Sequence, residues 1–337
     1  MIVTVIGNGS IGKRHINGLC SIKSKIGLTA IRAYDPDPVR CKEAADIDEV
    51  VSPTSSLGEA LNGADSVFIC APTSLHHQVF SDVMNIGHYD IFMEKPLGSS
   101  AKGWVSLLER HRKSGKQFMV GYMLRHHPVV KRVKEIYDSD ILGRILFARA
   151  ESGFYLPFWH PHEDYRDFYM SQRSGGGGAL LDTSHELDYL AWILGEYQSV
   201  NATVETQSDL EISSDDLVVA NLTTKSNVRV SVHLDLLQFN ESRYCKLIGT
   251  SGVVIGDLMG GVVKYNTATD PNWVSEEVSV SWDDIYAAEY DSFFRLCKKQ
   301  KVNAPSGFEA LHIMEVVEAA RMSHNSGARV TLPLWGF

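Results

Sequence analysis

The chain of 337 residues lacks any apolar run near the roughly 20 residues that a bilayer-crossing helix requires, so no membrane partner is expected. Its first residues, Met1-Ile2-Val3-Thr4-Val5-Ile6, have neither the charged start nor the cleavage site of a secretion signal. Cysteine is scarce and scattered: Cys20, Cys41, Cys70, Cys245 and Cys297 are odd in number and form no C-x-x-C pair. That pattern argues against a disulfide framework and a structural zinc site, and for free thiols in the cytoplasm. A basic excess is missing too. With 32 Lys+Arg against 41 Asp+Glu the net charge is −9, which makes nucleic acid a poor main partner. Internal repeats, low-complexity tracts and flexible linkers are also absent. What remains is an ordinary globular balance of 44% hydrophobic and 22% charged residues, long enough for two domains.

The first 120 or so residues alternate β-rich runs with helical stretches. The expected strands are Ile2 to Ile6, Thr29 to Tyr34, Ser66 to Cys70, Asp90 to Met93 and Phe118 to Val120. Helices are expected between them, as at Gly12 to Leu19 and Gly103 to Ser114. Strict strand–helix alternation predicts parallel strands with crossover helices, an α/β doubly wound (Rossmann) sheet over residues 1–122. Residues 123–337 read as a second, α+β domain with a large, mainly antiparallel mixed sheet. A helix at Val129 to Ser139 precedes a strand at Arg144 to Glu151, then an irregular aromatic stretch from Gly153 to Ser174. A helix at Thr183 to Leu194 follows. In Val228 to Leu236 apolar and polar residues alternate, the habit of a strand with one buried face. A last helix spans 307–325 and is positioned to pack back on the first domain.

Gly7-Asn8-Gly9-Ser10-Ile11-Gly12 is a G-x-G-x-x-G turn that follows a strand and opens a helix. The first glycine permits the tight turn, the second lets backbone approach a pyrophosphate, and the third lets helix and strand pack. Asp35 stands where the motif expects an acid that accepts hydrogen bonds from the ribose hydroxyls. It favours NAD, while nearby Arg40 softens the preference and leaves NADP open. Ala71-Pro72-Thr73 ends the third strand beside the expected cofactor, with His76 touching it, capping the next helix or lying at the surface. Glu94-Lys95-Pro96 leaves the next strand toward the same place.

Taken with the Ala-Pro-Thr-x-x-His segment, Gly121-Tyr122-Met123-Leu124-Arg125, Leu247 to Gly252, and Gly175 to Asp188, these motifs make the whole chain resemble the glucose–fructose oxidoreductase / inositol dehydrogenase / MocA family. The resemblance implies a held NAD(P), oxidation or reduction of a sugar, sugar acid, nucleotide sugar or cyclitol, and homodimers or homotetramers formed through the outer face of the large sheet. It implies that Lys95, Asp182 and His185 are catalytic. Only Thr183 and Ser184 separate that Asp from that His, one residue fewer than is common in the family. On one continuous helix His185 lies roughly −60° and Tyr189 roughly −20° from Asp182, a shared polar stripe.

An alcohol gives up hydride only as its proton leaves, so a base titrating near neutrality suits the work, and a lysine on the same oxygen stabilises the developing charge. Glu94 and Lys95 also count among the cofactor-facing residues. Tyr122, Arg125, Tyr155, Trp159, Arg166 and Tyr189 are the substrate candidates, because aromatics stack on sugar rings and arginine forks bind carboxylate or phosphate. The alternative for Arg166 is a pair with Asp164 or Asp167. No metal is expected: His160-x-His162-Glu163-Asp164 has ligand types, but this chemistry needs none. Two other readings stand beside the leading one, a catalytically silent nucleotide-binding regulator or scaffold, and a reductase of an unrelated imine or double bond.

Overall fold

Short β-branched and aromatic runs, each followed by a helix, give the first sheet its form. In the computed structural model, which describes residues 1–159 and 161–334, six strands arise this way. They are β1 (Ile2–Ile6), β2 (Ala30–Tyr34), β3 (Val51–Pro53), β4 (Ser66–Ile69), β5 (Asp90–Glu94) and β6 (Phe118–Gly121). Their order is β3-β2-β1-β4-β5-β6, and all five pairings are parallel. This is the doubly wound sheet that the alternation predicts, with one strand more, the short edge strand β3. Helices cover both faces, so Val3, Val5, Ile31, Phe68, Ile69 and Phe92 are fully enclosed. The order reverses between β1 and β4, and ligands of such sheets collect outside the strand ends at that point.

The chain divides into two compact units, Met1–Tyr122 with Trp282–Leu311, and Met123–Ser281 with His312–Phe337. A single boundary at 122/123 therefore misplaces residues 282–311. The reason is the unpredicted helix Trp282–Cys297, whose Tyr290, Phe293 and Phe294 join Val3, Val5, Ile16, Phe68 and Phe92 in one core. Phe293 stands edge-on to Phe68 with centroids 5.2 Å apart. The division falls inside the last helix, Gly307–Ser326, between Leu311 and His312.

The second unit is built on nine strands: β7 (Ile145–Tyr155), β8 (Tyr197–Glu205), β9 (Leu217–Thr224), β10 (Arg229–Asp235), β11 (Leu237–Gly249), β12 (Gly252–Asp257), β13 (Val262–Thr267), β14 (Val274–Glu277) and β15 (Val330–Thr331). The order is β14-β13-β12-β11-β7-β10-β9-β8-β15. Only β7 with β10 pairs parallel; every other pairing is antiparallel, so the sheet is mixed as expected. In β10 the alternation holds as far as Leu234: Val230, Val232 and Leu234 are buried, while Arg229 is exposed and Ser231 and His233 half-exposed; Asp235, expected on the polar face, is buried against His233 and Gln238. The stretch after β7 is a four-residue helix, Leu156–Trp159, and three 3-10 turns between Tyr165 and Gly175. His160 lies outside the described residues.

Candidate active site

In the first unit the glycine turn has the form its motif requires. Gly7 has φ +90°, and a Cβ there would stand 2.7 Å from the backbone of Cys70 and Ala71. At Gly12 a Cβ would stand 1.9 Å from the Gly7 carbonyl oxygen, so helix and strand meet backbone to backbone. Gly9 differs: a Cβ there would meet nothing within 4 Å. It is the N-cap of helix Ser10–Ser21, with no side-chain cap and no acidic residue in the first turn. The helix start thus offers the N–H groups of Ser10, Ile11 and Gly12, and the positive end of its dipole, across open space. That cradle fits a dinucleotide pyrophosphate.

Asp35 lies half-buried at the end of β2 and ties the turn together. Its carboxylate accepts the Asn8 N–H at 2.8 Å and the Asp37 N–H at 2.9 Å. Asn8 therefore serves the turn instead of facing a ligand: its N–H is spent on Asp35, and its side chain is enclosed beside Cys41. Arg40 is exposed and points its charge at Asp37, 3.7 Å away.

His76 is buried, not surface, and lies between two backbone carbonyls, Ala71 at 2.8 Å from Nε2 and Pro96 at 2.9 Å from Nδ1. It sits between the turn after β4 and the turn after β5, its neutral ring donating to one of the two carbonyls, and burial pulls its pKa below the ordinary value. Ala71 and Thr73 are half-exposed and Pro72 exposed. Glu94 is buried and bonds His15 Nε2 at 2.6 Å, while its other oxygen accepts the Lys95 N–H at 3.0 Å. Glu94 is thus committed inside the unit instead of offered to a cofactor. Burial pushes its carboxyl up, but the bond to His15 and the nearby charges of His15 and Lys95 outweigh that and hold it below the usual range. Lys95 is half-buried, at a cis peptide bond to Pro96.

In the second unit the expected single helix is two pieces, Ala179–Asp182 and His185–Leu194. Thr183 and Ser184 turn their hydroxyls back on the Ala179 and Leu181 carbonyls, so the 100° count across this junction does not hold. Asp182 is half-exposed and accepts a hydrogen bond from the Tyr169 hydroxyl, and His185 opens the second helix, 5% exposed. The glycine run is explained inside the unit. At Gly177 a Cβ would collide with the backbone of Tyr169 and Met170, and at Gly178 (φ +117°) with the Asp215 carboxylate. Asp215 in turn accepts the Leu180 N–H at 2.8 Å and fixes the start of the Asp182 turn.

The polar stripe proposed for this helix is a clamp. Arg125, expected to hold substrate, is buried in a two-bond fork with Asp188, both bonds 2.8 Å. Arg243 makes a second fork with buried Glu186, at 2.7 and 3.0 Å. Tyr189 is fully enclosed, and so is Tyr122 in the first unit, so neither presents a ring to a ligand. Arg166 takes the alternative reading: it is exposed and pairs with Asp164 and Glu211. Tyr155 and Trp159 do belong to a surface aromatic group. Phe158 and Phe239, 60% and 70% exposed, flank Tyr155, and Trp159 lies 4.8 Å from Phe154. Among the described residues no three His, Cys, Asp or Glu side chains form a metal-holding group.

Two family models match the chain. Residues 1–122 match an oxidoreductase family with an NAD-binding Rossmann fold, and residues 130–255 match the GFO/IDH/MocA C-terminal domain. The chain belongs to the Gfo/Idh/MocA family. It is accordingly an NAD-binding oxidoreductase. Among relatives of this family, the inositol 2-dehydrogenase/D-chiro-inositol 3-dehydrogenase of Lacticaseibacillus casei is 25% identical over 354 residues, covering 99% of this chain and 95% of that one. An inositol 2-dehydrogenase of Burkholderia multivorans is 26% identical over 97% of this chain and 94% of its own. The fold is shared with levoglucosan dehydrogenase in complex with NADH and L-sorbose, TM-score 0.88 at 19% identity over 99% of each chain. The WlbA dehydrogenase of Bordetella pertussis, in complex with NADH and UDP-GlcNAcA, superposes with TM-score 0.82 at 20% identity, over 99% of this chain and 98% of that one.

His15 and the helix Trp282–Cys297 went unread in the sequence. The signal for His15 was present: it stands three residues after Gly12, one helical turn into the nucleotide helix, where a polar side chain faces the strand ends.

Proposed function

We propose that the protein interconverts a secondary hydroxyl and a ketone on a sugar or cyclitol, using NAD. The observation that carries the cofactor half is the open space at Gly9 beside an uncapped helix start, with the Asp35 carboxylate at the end of the next strand. Gly9, Ser10, Ile11 and Gly12 would hold the pyrophosphate through backbone N–H groups, and Asp35 the adenosine ribose. When bound, the nicotinamide supplies the acceptor or donor of hydride. The substrate class rests on the inositol and levoglucosan dehydrogenases that this chain resembles, and on the aromatic group of half-buried Tyr155 with exposed Phe158, Trp159 and Phe239, which suits stacking on a polyol ring.

Lys95, His185 and Asp182 are proposed to serve the reacting carbon. His185 takes the hydroxyl proton as the alkoxide forms, and returns it when a ketone is reduced. The Lys95 ammonium stabilises negative charge on that oxygen, an effect that grows as water is excluded. Asp182, oriented by Tyr169, holds the imidazole or a neighbouring hydroxyl. The clamp of Arg125–Asp188 and Arg243–Glu186 fixes the helix that His185 opens, so the base is held on a rigid element.

The test is NAD reduction with a panel of cyclitols, aldoses and sugar acids, comparing wild type with Lys95→Ala and His185→Ala. Either variant should lose about 10²- to 10⁴-fold in kcat. Equal turnover by all three proteins would remove these residues from the mechanism, and indifference to every polyol would remove the substrate class. Two broader expectations go with this reading. Cys41, Cys70 and Cys245 are buried and unbridged, which fits a reducing cytoplasm, and no helix among the described residues is long and apolar enough to cross a membrane. The half-exposed polar face of β10 is the proposed surface for homodimers or homotetramers, to be checked by light scattering during gel filtration.

A further inference from the structure

We propose that His15 is a positioning residue for Lys95, acting through the Glu94 carboxylate and anchored from behind by Tyr290. This rests on the reading of Lys95 as an acting group, but it has its own observable. His15 is completely enclosed in the first unit, with ring centroids of Phe92, Tyr290, Phe68 and Tyr286 at 5.2, 5.6, 5.8 and 6.0 Å. A ring so packed has one orientation. Nε2 is 2.6 Å from Glu94 Oε1, and Nδ1 is 3.1 Å from the Tyr290 hydroxyl. Both contacts are met at once: Nε2–H donates to the carboxylate, and Nδ1 pairs with the Tyr290 hydroxyl, which can donate or accept.

The chain ends at the lysine. Glu94 Oε2 accepts the Lys95 N–H at 3.0 Å, while the next residue's carbonyl, Pro96 O, lies 2.9 Å from His76 Nδ1. The Lys95 backbone therefore lies between buried groups, Glu94 with His15 on one side and His76 on the other. A buried carboxylate persists as an anion only when donors pay for its lost water, and His15 is the side-chain donor that Glu94 has.

Other titratable groups also face Glu94. They are Cys70 after β4, His76, Lys95, and Tyr286, Glu289 and Tyr290 from helix Trp282–Cys297. Glu289 is fully enclosed, and neither of its carboxyl oxygens has a hydrogen-bond partner. Burial, and then the charge of Glu94, push the Glu289 carboxyl well up and disfavour a second charge there. Of two neighbouring buried carboxyls, the negative charge resides on the one that His15 and the Lys95 N–H stabilise. One anion is thus built in at the foot of Lys95, where it fixes the turn that carries it.

The experiment uses the full-length chain with NAD and the polyol turned over best in the panel, for His15→Ala, His15→Gln, Glu94→Gln and the double variant His15→Ala/Glu94→Gln. Glutamine at 15 keeps an N–H for Glu94; alanine does not. We expect kcat to fall about 10- to 100-fold in His15→Ala with KM within about twofold, and the acid limb of the kcat–pH profile to move upward. Glutamine should restore much of kcat, and the double variant should be no worse than Glu94→Gln. Independently of turnover, NMR of ¹³C-carboxyl glutamate, with the Glu94 signal assigned from Glu94→Gln, should show its titration moving up by at least about one unit in His15→Ala. If His15→Ala does not fold, His15→Gln and Glu94→Gln carry both readouts. A kcat–pH profile in His15→Ala that only scales down without moving, an unmoved Glu94 titration, or multiplicative losses in the double variant would overturn the proposal. A wild type that turns over no polyol yet shows the Glu94 shift would remove the proposed function and leave this coupling standing.

Discussion

Adding one methyl group at Gly9 should separate cofactor binding from folding, and the same change at Gly12 should not. At Gly9 the backbone has φ −68° and ψ −165°, which alanine adopts freely, and the added carbon meets nothing within 4 Å. Alanine is a poorer N-cap than glycine by up to about 1 kcal/mol. It also narrows the unfolded ensemble, which restores about 0.4–1 kcal/mol. The net change is within about 1 kcal/mol, a shift of no more than about 4 °C in Tm for a chain of this size. The dinucleotide pays instead. The methyl occupies the space through which phosphate oxygens reach the helix N–H groups, and losing one or two charge-assisted bonds of about 1.5–3 kcal/mol weakens NADH at least about tenfold. At Gly12 the added carbon would stand 1.9 Å from a backbone oxygen that cannot rotate away. The helix must move, at a cost of about 3 kcal/mol or more. Fluorescence titration with NADH and thermal melts of the apoprotein measure both effects. Wild-type NADH affinity in Gly9→Ala, or a wild-type melt in Gly12→Ala, refutes the reasoning.

Three further outcomes follow from single contacts. Asp35→Asn keeps an acceptor for one of the turn's two N–H groups and removes the charge that repels a 2′-phosphate; the NADP/NAD ratio of kcat/KM should rise at least about tenfold, and an unchanged ratio would mean that Asp35 does not face the ribose. Arg125→Met should cost about 3–5 kcal/mol in urea unfolding, because it takes from buried Asp188 its two-bond guanidinium partner, whereas Arg125→Met/Asp188→Leu should recover most of it; a stable single variant with a raised substrate KM would restore Arg125 as a substrate ligand. His127 caps helix Pro128–Asp138 by accepting the Val129 N–H on Nδ1, and burial, then the charge of Arg243, hold its pKa at about 4. The unfolded chain takes up that proton near pH 6.5 and the folded chain only near 4, so the stability His127 contributes is complete above 6.5 and is lost as pH falls through this window, up to about 3 kcal/mol. His127→Gln should flatten the urea midpoint between pH 7 and pH 5; a midpoint equally acid-sensitive in the variant would assign the loss to other groups.

What the sequence made legible was whatever depends on neighbours along the chain. Strand–helix alternation, the glycine turn and the period-two pattern of β10 are local, and the sheets formed from them have the expected class. Helix Trp282–Cys297 escaped notice because its partners, Val3, Val5 and Phe68, are more than 200 residues away in sequence, and nothing local says which core its aromatic face will join. The wheel through Asp182, His185 and Tyr189 failed for a different reason. It assumed one helix, and the Thr183 and Ser184 hydroxyls compete for the carbonyls that such a helix would use. Arg125 and Tyr189 were assigned to substrate on residue type alone. Type states what a side chain can bind, and burial decides whether it is offered.

That last distinction also bears on how this unit works. Helix His185–Leu194 is hydrophobic almost all round, and its two acidic residues, Glu186 and Asp188, point into protein instead of water. Replacing such buried pairs by apolar residues is often neutral or stabilising, so stability alone does not account for two arginine forks on one helical turn. Their geometry does. A planar guanidinium bonded twice to a carboxylate fixes rotation as well as position, which apolar packing does less strictly. Fixed at residues 186 and 188, the helix can neither roll nor slide by one residue without breaking both forks, and the residue whose aim is thereby set is His185. On the proposed reading of His185 as the proton-transferring residue, the forks are better understood as registration for that side chain than as reserves of folding energy.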